Sequence, residues 1–109
     1  MSYDIYLRDK ETGKIVEVES HEEGGTYALG GINEADLNVT YNYAKHFNFR
    51  GLHEKRAGDM IPEMEKTVAE LGITQDKDYW TPTKGNVGHA VNILLKWAKQ
   101  NPDAIFEVF

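Results

Sequence analysis

The chain has 109 residues, with 12 Lys and Arg against 18 Asp and Glu for a formal net charge of −6, and no Cys. The missing Cys excludes disulfides, thiolate metal centres and cysteine nucleophiles. The acidic balance weighs against binding to a phosphate backbone, where affinity comes from Lys and Arg displacing counterions.

At this length one α+β domain spanning residues 1–109 is the expected organisation. No stretch approaches the ~18 apolar residues of a membrane span. The start Met1-Ser2-Tyr3-Asp4 lacks the basic and apolar run of a leader. A cytoplasmic protein without membrane contact is expected.

Tyr3, Ile5 and Leu7 alternate with Asp4, Tyr6 and Arg8, the period of a half-buried strand. Residues 9–14 supply turn chemistry, and Ile15 to Glu19 alternates again with Val16 and Val18 inward, so the reading is a β-hairpin. Ser20 to Gly25, with His21, Glu22 and Glu23, reads as a polar surface connection. Thr26-Tyr27-Ala28-Leu29 is a candidate short strand between the pairs Gly24-Gly25 and Gly30-Gly31. Leu37, Val39, Tyr41 and Tyr43 alternate with Asn38, Thr40 and Asn42. That predicts a further strand, running into a helical turn through Ala44 to Phe47.

From Asp59 the apolar positions Ile61, Met64, Val68 and Leu71 recur at helical spacing up to Gly72, a stop signal. Pro62 requires the helix to start near Asp59 to Ile61, so that it sits in the first turn. A second helix is expected from Gly85 to Gln100, burying Val87, Ala90, Val91, Leu94, Trp97 and Ala98 and ending at Asn101-Pro102. A long polar connector from Thr74 to Lys84 carries Tyr79 and Trp80. The apolar tail Ile105 to Phe109 returns to the sheet or meets a partner, a second copy included. Strands first and helices second give a small, mainly antiparallel sheet with two helices on one face.

No phosphate-loop, dinucleotide, zinc-protease or nucleophile-elbow motif is present. The four histidines are the candidates for acid–base or metal chemistry. His21 beside Glu22 and Glu23 reads as loop solvation, while His46, His53 with Glu54, and His89 would have to converge, and Gly51 weakens a helix joining His46 and His53. No cofactor is called for. Thr83 as a helix cap would leave the N–H groups of Gly85 and Asn86 facing outward beside Lys84, where a phosphate or carboxylate fits and Trp80 could stack on a ring. The plain alternative is a helix cap with a core tryptophan. The polar face Asn38, Thr40 and Asn42 is either a recognition surface or the solvent face of an edge strand. Tyr41, Tyr43, Phe47 and Phe49 near Arg50 have the composition of an interface hot spot, although core packing explains such rings equally well.

The runs Tyr3 to Asp9, Gly24 to Ala28 and Leu37 to Tyr43, with Asp78-Tyr79-Trp80 and Gly85-Asn86 downstream, resemble a family of small phage- and prophage-encoded proteins. The resemblance covers nearly the whole chain and carries over no catalytic residue. It implies a phage accessory protein. The lack of a paired nucleophile and base, with aromatic, Asn and Thr residues on the expected exposed segments, favours a non-enzymatic one that antagonises a host defence system by binding a host protein. Alternatives are sequestration of a small nucleotide signal, a minor part in phage assembly or DNA metabolism, or a small histidine-dependent hydrolase. The expected contact residues are Asn42, Tyr43, His46, Trp80, Thr83, Lys84, Gly85 and Asn86.

Overall fold

A computed structural model describes residues 1–18, 26–28, 34–78 and 80–109, with only the backbone path at 26–28. The expected features at Glu19 to Gly25, Leu29 to Gly31 and Tyr79 lie outside the described residues.

Four strands, β1 (Ser2–Arg8), β2 (Thr26–Ala28), β3 (Asp36–Thr40) and β4 (Ile105–Val108), form an antiparallel sheet in the order β2-β3-β1-β4. Two helices, α1 (Ala57–Leu71) and α2 (Lys84–Gln100), pack against each other. The fold is α+β, as the order of the predicted elements implies. The inward face carries Ile5 and Leu7 of β1, Leu37 and Val39 of β3, and Phe106 and Val108 of β4. All are buried in one core with Met64 of α1 and Val87, Val91, Leu94 and Trp97 of α2. At ~25 cal/mol per Å² of apolar surface removed from water, this shared core is the main favourable contribution to folding.

Three expectations need correction. The hairpin is incomplete, because its second arm makes isolated bridges, Ile15 to Arg8 and Glu17 to Glu34, instead of a strand. The Leu7 N–H donates to the Ala35 carbonyl, and the Ala35 N–H donates to the Val16 carbonyl. The chain entering β3 therefore takes the pairing that a hairpin arm would have used. Val18 is buried and Val16 half-buried.

The strand predicted to reach Tyr43 stops at Thr40, and Tyr41–Lys45 is a 3-10 helix whose first turn is capped by the Thr40 hydroxyl. Asn38 and Thr40 do not form a solvent face, because β3 is an inner strand and both are buried. Asn38 Nδ2 donates to Ser2 Oγ at 2.7 Å and to Asp4 Oδ1 at 2.8 Å across the β1 register.

Helix α1 starts at Ala57, two residues before the predicted window, so Pro62 lies beyond the first turn. The early start is stabilised from outside. The N–H groups of Ala57 and Gly58 donate to the carbonyls of Ala104 and Pro102 at 2.8 Å, which satisfies donors that a side-chain cap would otherwise take. The segment before β4 thus fixes where α1 begins.

Helix α2 is buried well beyond its predicted stripe, with Asn86, Gly88, His89, Ile93 and Leu95 also covered. Its other flank meets α1 and the connector. The far edge of β4 is closed by residues 53–56, where the Glu54 N–H donates to the Phe106 carbonyl and the Phe106 N–H to the Lys55 carbonyl. Capping of that edge removes a template for strand addition.

Candidate functional site

The connector between α1 and α2 brings most of the expected contact residues together. Gly72 ends α1 with a φ of 72°, and its N–H closes on the Val68 carbonyl. The chain then runs along α2 so closely that the Thr74 carbonyl occupies the space a Cβ at Gly85 would need, and the Gly72 carbonyl does the same at Gly88. Only glycine at these two helical positions permits that approach.

Asn86 fastens the rest of the loop. It is fully buried; its Oδ1 accepts from the Asp76 N–H at 2.8 Å, and its Nδ2 donates to the carbonyls of Thr81 at 2.8 Å and Asp78 at 3.2 Å. Thr83 caps α2 as predicted, accepting from the Asn86 N–H at 3.1 Å. The Trp80 N–H donates to Asp78 Oδ1 at 3.0 Å. Asn86 thereby ties the connector to α2 at Asp76, Asp78 and Thr81, and the connector displays Trp80 with 55% of its surface exposed. Ile73 is exposed on the same connector.

This arrangement revises the reading of α2 as an anion site. The Asn86 N–H is committed to Thr83, the Asn86 side chain to the loop, and the Val87 N–H to the Thr83 carbonyl. The flank at Gly85 is filled by Thr74. Lys84 is exposed at the helix start, but the pair of outward N–H groups expected beside it is not there. The alternative of a core tryptophan fails as well, since Trp80 is on the surface.

The second group of expected contact residues sits on the 3-10 helix after β3. Asn42 is exposed, His46 half-buried, and Tyr43 fully buried in the core, where it has no surface to offer a partner. Phe47 and Phe49 are buried with it, their rings edge to face at 5.0 Å. Tyr41 keeps 39% of its surface and packs on Tyr3 with centroids 4.5 Å apart, while the exposed Arg50 guanidinium lies 5.6 Å from the Tyr3 ring. Tyr3 was not foreseen in this group. Its alternation in β1 marked only a strand, and nothing in the sequence signals that β1 passes beside residues 41 and 50.

The histidine set does not assemble as a metal centre. Among the described residues no three His, Asp or Glu side chains are grouped to hold an ion. His53 Nδ1 accepts from the Val108 N–H at 3.0 Å, which places the proton of the neutral ring on Nε2, 3.7 Å from Glu54 Oε1. His53 thus closes the end of β4. His89 is buried within α2.

A groove of about 410 Å³ between the 9–16 turn and the end of α2 contains none of the expected contact residues. On the outer face of the sheet, burial raises the pKa of Asp36, and the nearby carboxylates of Asp4 and Glu34 raise it further.

Comparison of the chain with known protein families, with curated proteins and with solved structures yields no match to any of them. No helix among the described residues is long and apolar enough to cross a membrane.

Proposed function

We propose that this protein acts by binding another protein without transforming it, and that the α1–α2 connector is its contact loop. One observation carries the reading: Trp80 is held half-exposed on a loop whose backbone is tied down by a fully buried asparagine. An exposed tryptophan is a common source of binding energy at protein interfaces. A loop already fixed in shape loses little conformational freedom on docking. Lys84 and Thr83 flank it as the polar rim, with Asn86 and Gly85 as the support beneath.

The resemblance to phage and prophage proteins supports a bacterial host protein as the target, and interference with host defence as the role. Sequestration of a nucleotide is the weaker reading, since the Asn86 N–H it would use is already bonded within the protein.

Capture from bacterial lysate on immobilised protein, with quantitative mass spectrometry, tests the proposal when wild type and Trp80→Ala are run side by side. A host protein retained by wild type should fall about tenfold on the variant, the effect of losing roughly 1.4 kcal/mol of anchor energy. Equal retention on both would remove Trp80 and its loop from the function.

A further inference from the structure

A second surface, built from different residues, points to a particular partner chemistry. Tyr3 comes from β1, Tyr41 from the 3-10 helix after β3, and Arg50 from a second 3-10 helix, Arg50–Leu52. Three separate segments therefore meet in one ledge. It rests on the core through Phe49, which is buried with its ring 6.2 Å from that of Tyr3 and 5.0 Å from that of the buried Phe47.

The charges of this region distinguish it from the rest of the chain. Residues 41–50, which supply Tyr41 and Arg50, carry two basic side chains, Lys45 and Arg50, and no Asp or Glu, in a protein of net charge −6. Arg8 is paired with Glu107, and Arg56 with Asp59 and Asp103. Among the described residues Arg50 makes no such ion pair, and its guanidinium rests over the Tyr3 ring instead. An arginine held by an aromatic face keeps its planar fork of donors oriented for a carboxylate.

We infer that the Tyr3–Tyr41–Arg50 ledge is a docking site for an acidic segment of a partner protein. Arg50 takes a carboxylate of that segment, and the exposed ring of Tyr41 lies against its apolar part. Tyrosine and arginine are the residue types enriched at protein interfaces. A nucleic acid strand fits less well. Strand binders stack successive bases on several aromatic faces, whereas here Tyr3 is occupied by Tyr41 and Arg50 and only Tyr41 is presented. The overall negative charge opposes a long polyanion, while a short acidic segment responds mainly to charges within a Debye length of about 8 Å.

The test titrates isotope-labelled full-length protein with a synthetic oligo-glutamate peptide, with an oligo-thymidylate in a parallel arm, following backbone amide shifts. Saturable shifts at residues 3, 41, 42 and 50 are expected with the peptide. Arg50→Ala and Tyr41→Ala should each weaken them about tenfold, and Arg50→Lys should weaken binding by less because it keeps the charge without the fork. Retained dispersion of the remaining amide signals shows that the variants are folded. Absence of saturable shifts at about 5 mM peptide would overturn the inference. Shifts indifferent to Arg50→Ala, or saturation by the oligo-thymidylate alone, would overturn it equally. None of these outcomes bears on Trp80, whose loop is tested separately.

Discussion

The α-carbon of Gly85 lies directly against the carbonyl of Thr74, leaving no room for a side chain between helix α2 and the connector. Gly88 stands in the same relation to Gly72 one turn on. The first residues of the connector, Gly72 and Thr74, are thus seated on α2 by the absence of a methyl group at two positions. Gly85→Ala should raise the helix propensity of α2 by ~1 kcal/mol, yet the added methyl must displace backbone. The net expectation is a loss of about 2 kcal/mol in urea unfolding, the cost typical of overpacking. A variant as stable as wild type would show that the connector can lift off α2 at little cost.

Asn86 gives the companion prediction. Asn86→Ala removes three hydrogen bonds and leaves the Asp76 N–H and the Thr81 and Asp78 carbonyls without that partner. The expected cost is about 2–3 kcal/mol, because unsatisfied buried groups cost more than the net value of the bonds they lose. The loop should also loosen around Trp80. In a Trp97→Phe background, where Trp80 is the sole indole, its fluorescence anisotropy should fall relative to the same background with Asn86 intact. A stability loss without any anisotropy change would mean that Asn86 supports the helix and not the loop.

Asp36 sets a pH dependence whose sign follows from its surroundings. The carboxyl is buried on inner strand β3, its Oδ1 has no hydrogen-bond partner among the described residues, and Asp4 and Glu34 add like charge nearby. Tyr6, opposite it on β1, is also raised, by burial first and then by Asp36 and Asp4, while Arg8 acts the other way. Because the folded-state pKa of Asp36 lies above its unfolded value, its stabilising contribution is present in acid and is lost as pH rises through the folded pKa. Asp36→Asn should therefore be more stable than wild type at pH 7, by about 1 kcal/mol. The advantage should shrink as pH falls through the carboxylate range. Thermal unfolding from pH 4 to pH 7 would contradict this if the gap between the proteins stayed constant.

The parts of this fold legible in the sequence are those governed by short-range pattern. The alternation in β1, the helical spacing of Met64 with its neighbours, the Gly72 stop and the Thr83 cap each depend on residues within one or two turns. Long-range pairing decided the rest. Val16 and Val18 alternate as a strand would, but β1 pairs with β3 and β4 along most of its length and meets the second arm only around Arg8 and Ile15. Asn38 has the composition of an exposed edge and became an inner position, its amide satisfied by Ser2 and Asp4 from over thirty residues away. The start of α1 was misplaced because its donors are met by Pro102 and Ala104, far along the chain. At the candidate site, Trp80, Thr83 and Lys84 could be named from local sequence. The ledge needed Tyr3 beside Tyr41, a neighbour relation created only by the folded sheet.

The turn that closes the edge of β4 offers the last prediction. Residues Leu52-His53-Glu54-Lys55 form a turn in which the Lys55 N–H donates to the Leu52 carbonyl at 3.0 Å, His53 has φ −55° and ψ 128°, and Glu54 has φ 64°. These angles are those of a type II turn, whose third position favours glycine. Glu54 is the sole non-glycine residue with positive φ among the described residues. The left-handed conformation costs a residue with a Cβ roughly 1–2 kcal/mol. Glycine avoids that strain but starts from a more flexible unfolded chain, which returns up to ~1 kcal/mol. Glu54→Gly should thus stabilise the protein by about 0.5–1 kcal/mol, raising the urea midpoint with an unchanged slope. Glu54→Val should lower it, since a β-branched side chain tolerates positive φ worst. If Glu54→Gly proved the less stable protein, the carboxylate beside His53 Nε2 would be contributing more than the backbone strain removes, and His53→Gln in the same background would then abolish the difference.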